Sequence, residues 1–224
     1  MCKKQSWSQQ YNFRRAVAAR FGRVFDLPLE RRVRDVLLDV VRDEHEVLEV
    51  GAGDRRMSDL LAQRRRGVRY RSMDIDPLGN HDYHSLEEVD RAFDCIFSFE
   101  VAEHIAFDDL AGWFERLAEL LKPGGQLALS TPNTYYPPAY LRDASHRTPL
   151  CYDELGGMLE ASGLRVTRIV RIYNDPVWRR VARRWLFGWL FRLIGIDFAR
   201  QIVVVAQKPE QGTNEQLPQS EREA

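Results

Sequence analysis

Two groups of residues in this 224-residue sequence have types and spacings that suit chemistry. The first is the turn closing the segment VLEVGAG at Val47–Gly53, with Glu49, Gly51 and Gly53. Glycine carries no Cβ, so a turn built this way lets the backbone approach a ligand closely. Asp74, in YRSMDIDP, follows about 20 residues on, where the end of a second strand would present a carboxylate to the hydroxyls of a ribose. Together they suit an adenosine-type ligand. A dinucleotide site asks for GxGxxG, and here the third glycine position holds Arg56, which disfavours an NAD-dependent oxidoreductase. The turn alone also fits a tight strand-to-helix connection that binds nothing.

The second group handles protons. His104 lies in Glu100-Val101-Ala102-Glu103-His104, and His146 opens the segment HRTPLCYDELGGMLEASGL. Imidazole exchanges protons near neutral pH and can take one from an acceptor hydroxyl. His104 and His146 are the catalytic candidates, with Tyr135 and Tyr136 behind them. The plainer alternatives are that His104 braces the helix after it and that His146 is a polar loop residue.

These groups need elements to hold them. Glu46–Val50, Val68–Met73, Phe93–Phe99, Gln126–Ser130, Leu164–Ile172 and Gln201–Ala206 read as strands. Met57–Arg66, Asp108–Leu121 and Tyr152–Ala161 read as helices, the second stopped by Lys122-Pro123-Gly124-Gly125. Strands alternating with helices imply an α/β fold with a mostly parallel, Rossmann-like sheet. The last two strands are candidates for an antiparallel pair. Residues 1–45 read as an N-terminal helical segment, with Arg31–Val41 amphipathic, and 46–208 as the catalytic domain. The polar tail 209–224 reads as disordered.

Phe93–Ile105, FDCIFSFEVAEHI, and Leu121–Asn133, LKPGGQLALSTPN, resemble segments of class I S-adenosylmethionine-dependent methyltransferases, nearest to the ubiquinone-biosynthesis O-methyltransferase-like branch. The resemblance spans roughly residues 45–165, in matching order. It implies a seven-stranded methyltransferase sheet with S-adenosylmethionine as cofactor. On that basis Glu49, Gly51 and Gly53 match the first motif, Asp74 the ribose-binding acid and Ile75 the residue flanking adenine. Ser98, Phe99 and Glu100 lie under the cofactor. Two departures stand out. Arg55 occupies a place where the family often has glycine, and the stretch between Asp74 and Phe93 is short, so the third strand is expected to be trimmed. Asp82 is a weaker candidate for the adenine amino group. Glu100, Glu103 and His104 resemble a divalent-metal site of some relatives, but each has another role open to it and no residue is assigned to a metal.

The reaction expected is methyl transfer to a small-molecule or lipid-linked acceptor, with a hydroxyl as the accepting group. A non-catalytic scaffold that binds the cofactor is the remaining rival. Basic and acidic residues are equal, at 33 each, so the chain has no overall attraction for nucleic acid. The position after the strand reads Ser98-Phe99-Glu100-Val101, without the [DNS]PP[YF] of base-modifying amino-methyltransferases. No nucleic-acid partner is expected. Three widely spaced cysteines argue against a disulfide framework and for a cytoplasmic home.

The segment 174–200, NDPVWRRVARRWLFGWLFRLIGIDFAR, exceeds a minimal connection between the last two strands. It reads as a basic, tryptophan-rich amphipathic helical insertion. Three roles are open to it: packing on the sheet or a second subunit, covering the acceptor pocket, or peripheral contact through 177–198 with the inner face of a membrane.

Overall fold

A computed structural model of the chain describes residues 7–210, so the tail expected to be disordered lies, from residue 211, outside the described residues. Seven strands form one sheet: β1 (Leu29–Glu30), β2 (Glu46–Val50), β3 (Arg69–Met73), β4 (Phe93–Phe99), β5 (Leu121–Pro132), β6 (Arg165–Ile172) and β7 (Gln201–Gln207). Their spatial order is β1-β6-β7-β5-β4-β2-β3. All pairs are parallel except those of β7, which runs antiparallel to both β5 and β6. The expected antiparallel pair of final strands is therefore present, and the fold is the mostly parallel α/β sheet of the Rossmann-like methyltransferase type.

β2 and β4 are interior strands of the sheet and are almost wholly buried, which is why they read as continuous apolar runs rather than alternating ones. Helices α1 (Trp7–Phe21), α4 (Phe107–Glu119) and α6 (Tyr152–Ala161), the last preceded by the short α5 (Pro137–Leu141), cover one face, over a core that includes Val17, Phe114, Leu117, Leu155 and Ile96. Helices α2 (Val33–Val40) and α3 (Arg56–Arg64) cover the other, with Val36, Leu37 and Leu61 against Val47 and Phe97. Ion pairs Arg14–Asp153 and Arg20–Glu160 fasten α1 to α6.

Three expectations change. Residues before Glu46 are not all helical: Leu29–Glu30 forms the edge strand beside Arg171–Ile172. The Lys122–Gly125 segment is no free loop. It belongs to β5, where Leu121 pairs with Phe93 before the register shifts, and a side chain on Gly125 would collide with backbone carbonyls of Lys122, Phe93 and Asp94. The insertion is not one helix. It comprises α7 (Val177–Val181), a π-helical turn (Ala182–Leu186) and, after a short break, α8 (Gly188–Ile194), closed by Gly195 in the left-handed region.

The trimming expected after Asp74 is visible. In place of a further strand, Tyr83 makes a single parallel bridge with Met73: the Tyr83 N–H donates to the Ser72 carbonyl and the Asp74 N–H to the Tyr83 carbonyl, both at 3.1 Å.

Candidate active site

Parallel strands end at one edge of the sheet, and β2 delivers Gly51 and Gly53 there. Gly51 has φ +77° and Gly53 φ +46°. The N–H groups of Gly51 and Ala52 donate to the Met73 carbonyl at 2.8 and 3.1 Å, tying the turn to β3. A Cβ on Gly51 would run into the Val101 side chain, whereas one on Gly53 would meet open space. Gly51 is thus required by both conformation and close approach, and Gly53 by conformation alone. Arg55, where relatives often carry glycine, keeps the glycine-like conformation at φ +56° and serves as N-cap of α3.

Asp74 stands beside this turn. Its Oδ2 accepts the Gly53 N–H at 2.8 Å and its Oδ1 the Asp76 N–H at 3.0 Å. Each carboxylate oxygen retains capacity for a second hydrogen bond, so a ribose diol can still be received. Ile75, next in sequence, is exposed. Asp82, the weaker candidate for the adenine amino group, is already engaged within the protein. Arg71 and the N–H and hydroxyl of Ser72 all donate to its carboxylate, which these partners hold below the usual carboxylate range against the effect of its burial.

Glu49 is buried at the end of β2, and burial pushes its carboxyl up to about 7. The Tyr70 hydroxyl donates to its Oε2 and partly offsets that. Tyr70, which the motif does not announce, sits beside Glu49 because β3 pairs with β2 in parallel, Val47 opposite Tyr70.

Ser98 is buried at the end of β4 with a hydroxyl that has no hydrogen-bond partner among the described residues. Phe99 is half-buried, its ring 5.2 Å from that of Phe97. Glu100 turns the chain with φ +57°. Its N–H donates to the Ser130 carbonyl at 3.1 Å, and its Oε1 accepts the Ser130 hydroxyl at 2.9 Å. Burial raises its pKa.

The two histidine candidates meet. Their rings are 4.9 Å apart and edge to face. The loop from Arg142 to Leu150 brings His146 back: the N–H groups of Arg147 and Thr148 donate to the Glu103 carbonyl at 2.7 and 3.0 Å, and the Thr148 hydroxyl to the Ile105 carbonyl at 2.7 Å. His146 Nδ1 lies 2.7 Å from the Tyr140 carbonyl. A carbonyl only accepts, so Nδ1 carries the proton and Nε2 of the neutral ring presents its lone pair. That Nε2 is 4.0 Å from Glu103 Oε1. His104 Nδ1 is 3.0 Å from the Ser145 hydroxyl.

Glu103 is fully buried, and neither of its oxygens makes a hydrogen bond of good geometry among the described residues. Burial, reinforced by the neighbouring Glu100, pushes its carboxyl up to about 8; the Thr131 hydroxyl beside it offsets this only in part. Glu103, His104 and His146 offer ligand atoms within 4.8 Å of one another, a donor set suited in kind to a divalent cation. The triplet read from sequence had Glu100 in the place of His146. Ser130 draws the Glu100 carboxylate away toward β5.

Val101 joins the two halves of the site, lying against Gly51 only three residues before His104. On the far side, Tyr135 follows β5 and meets Phe25 edge to face at 6.2 Å. Phe25, Leu27, Phe191 and Phe198, with Arg184 and Arg192, line a cleft of about 300 Å³ between the Val24–Leu29 turn and the insertion.

A family model described as a methyltransferase domain matches residues 20–169, more than half of the chain. The chain belongs to this methyltransferase family. Its cofactor is S-adenosylmethionine, and the Gly51 cradle, Asp74 and the unpartnered Ser98 hydroxyl fit that molecule's need for close backbone approach and polar contacts. Solved methyltransferases share its fold. One is a SAM-dependent methyltransferase from Archaeoglobus fulgidus, with TM-score 0.59, 17% identity, and coverage of 91% of this chain and 100% of the other. Another is an S-adenosylmethionine-dependent methyltransferase from Mesorhizobium loti, with TM-score 0.55, 15% identity, and coverage of 78% and 95%. A third is the 1,6-didemethyltoxoflavin-N1-methyltransferase of Burkholderia thailandensis with bound 1,6-didemethyltoxoflavin and S-adenosylhomocysteine, with TM-score 0.52, 16% identity, and coverage of 91% and 79%. No protein of curated function matches the sequence.

Proposed function

We propose that this methyltransferase moves the methyl group of S-adenosylmethionine onto a hydroxyl of a small-molecule or lipid-linked acceptor, with His146 as the general base. The observation that carries this reading is the adjacency through Val101 of the glycine turn to the Glu103–His104–His146 cluster. Gly51 and Gly53 receive the cofactor, Asp74 its ribose, and Ile75 flanks its adenine, while Glu49, Ser98, Phe99 and Glu100 line the strand ends beneath it. The cofactor supplies an electrophilic methyl on sulfur; the protein positions it in line with the acceptor oxygen and excludes water. His146 Nε2, its lone pair fixed by the Tyr140 carbonyl, takes the hydroxyl proton. His104 packs against His146 and steadies it. Glu103 is near enough to favour the imidazolium that results.

A divalent cation held by Glu103, His104 and His146 is a second reading, favoured by the two Glu103 oxygens that lack hydrogen bonds. It would polarise the acceptor hydroxyl in place of direct proton removal. We place the chain beside the ubiquinone O-methyltransferase-like branch on the strength of FDCIFSFEVAEHI, and in the cytoplasm on that of its free Cys95 and Cys151. The aromatic cleft beside Tyr135 supports an acceptor with an apolar, lipid-linked portion, reached by peripheral contact of 177–198 with a membrane.

The test is turnover with matched panels of hydroxyl and amine acceptors, read as S-adenosylhomocysteine formed, with and without a chelator. Methylation of hydroxyls that disappears in His146→Ala supports the reading. Methylation confined to amines would overturn it, and loss of turnover to the chelator alone would favour the cation.

A further inference from the structure

The insertion is held at its base and bare on its outer side. At the base, Asp197 is buried, accepting from Arg171 Nη1 at 2.9 Å and from Asn133 Nδ2 at 2.8 Å. Phe191 packs on Phe198 at 5.5 Å, and Arg192 pairs with Asp26 at 3.1 Å. The remainder turns outward: Trp178 is 67% exposed, Trp185 79%, Trp189 66% and Leu193 74%. Leu186, Phe187 and Ile194 are exposed with them. Exposures this high exclude packing on the sheet as the role of these side chains. Clusters of large exposed apolar groups mark a surface that something else covers.

We propose that Val177–Ile196 docks on an anionic lipid bilayer. The stretch holds five arginines and no acidic residue. Asp175 pairs with Arg183 and Asp26 with Arg192, but among the described residues no carboxylate pairs with Arg179, Arg180 or Arg184. That charge decides between occupants. A second copy placed on the same patch would set arginines against arginines. An anionic bilayer supplies the opposite charge, and its headgroup region is where tryptophan, with an apolar body and a polar N–H, is most at ease. No helix among the described residues is long and apolar enough to cross a membrane, so the contact is peripheral. The docking deepens the lipid-linked side of the proposed acceptor range but does not depend on the methyl-transfer reading.

The experiment is flotation of the full chain, without cofactor or acceptor, with phosphatidylcholine vesicles and with vesicles of equal phosphatidylcholine and phosphatidylglycerol. The protein is expected to float only with the anionic vesicles, and less so as salt is raised. Arg180→Gln with Arg184→Gln should lower partition roughly fivefold for each charge removed. Trp185→Ala with Trp189→Ala should abolish flotation, and since both rings are exposed, the circular dichroism spectrum should not change. Recovery in the dense fractions with both vesicle types would overturn the proposal. So would flotation unaffected by either pair of substitutions, or a dimer seen by light scattering that the tryptophan variant dissociates while the parent does not float. Failure of flotation leaves S-adenosylmethionine titration and turnover as independent measures of the methyl-transfer reading.

Discussion

His146 Nε2 and Glu103 Oε1 face each other at 4.0 Å, the imidazole anchored through Nδ1 to the Tyr140 carbonyl and the carboxyl buried without a hydrogen bond of good geometry among the described residues. In neutral form the two stabilise each other little. Once the imidazole gains a proton, a nearby carboxylate becomes its counter-ion. His146→Ala should therefore lower kcat by about 10²–10⁴-fold, the usual contribution of a positioned base. The dissociation constant of S-adenosylmethionine should stay within about twofold, because His146 is placed on the acceptor side. Steady-state kinetics paired with isothermal titration checks both; weakened cofactor binding with unchanged kcat would remove His146 from the chemistry.

Glu103 makes stability depend on pH. Its carboxyl in the folded protein is pushed up to about 8 from an ordinary 4.5, so the folded state binds the proton more tightly than the unfolded one. Stability from this group is fully present below about pH 4.5 and is lost progressively as pH rises through 8, by at most ~1.4 kcal/mol for each tenfold difference in proton affinity. The cofactor-free protein should melt lower at pH 8.5 than at pH 6. Glu103→Gln should flatten that fall without removing it, since Glu49, pushed up to about 7, acts in the same direction. Melting curves of parent and variant across this range decide the matter; parallel curves would show that Glu103 does not titrate as described.

Gly51→Ala should abolish measurable S-adenosylmethionine binding. The added Cβ meets Val101 and the backbone is in the left-handed region, so the turn must shift. Gly53→Ala carries only the conformational cost, about 1–2 kcal/mol, and should weaken binding rather than eliminate it. Titration of the two variants side by side gives the order; equal losses would mean that Val101 does not set the shape of the turn.

Arg55 lies at φ +56°, where a side chain is disfavoured. Arg55→Gly should raise stability by up to ~1 kcal/mol, observed as a small increase in melting temperature. A decrease would show that the arginine side chain contributes more than its backbone conformation costs.

The centre of the fold was legible in the sequence because its signals are local. VLEVGAG, the acid after the next strand and the buried β4 are each specified by neighbouring residues. β1 was not legible: Leu29 and Glu30 have no periodicity of their own and become a strand only by pairing with β6. The insertion misled differently. Helical spacing of its tryptophans predicted one helix, but the π turn and the break at Phe187–Gly188 divide it. At the site, His104 and His146 were each identifiable as candidates, yet their meeting depends on a loop whose N–H groups bind the Glu103 carbonyl, a contact between residues 44 or more positions apart. Tyr70 gave no signal, since its link to Glu49 follows from strand register.

The position of β7 has a consequence for how the chain is made. It is the last strand among the described residues but lies between β5 and β6, joining the half-sheet β1-β6 to the half-sheet β5-β4-β2-β3. Until residues 201–207 take their place, each half has an open edge where β7 belongs. The Asp197 network that anchors the insertion forms at the same late moment, because its carboxylate arrives immediately before that strand. A chain halted before Gln201 would thus have its glycine turn and both histidines yet lack the seam that holds the sheet together.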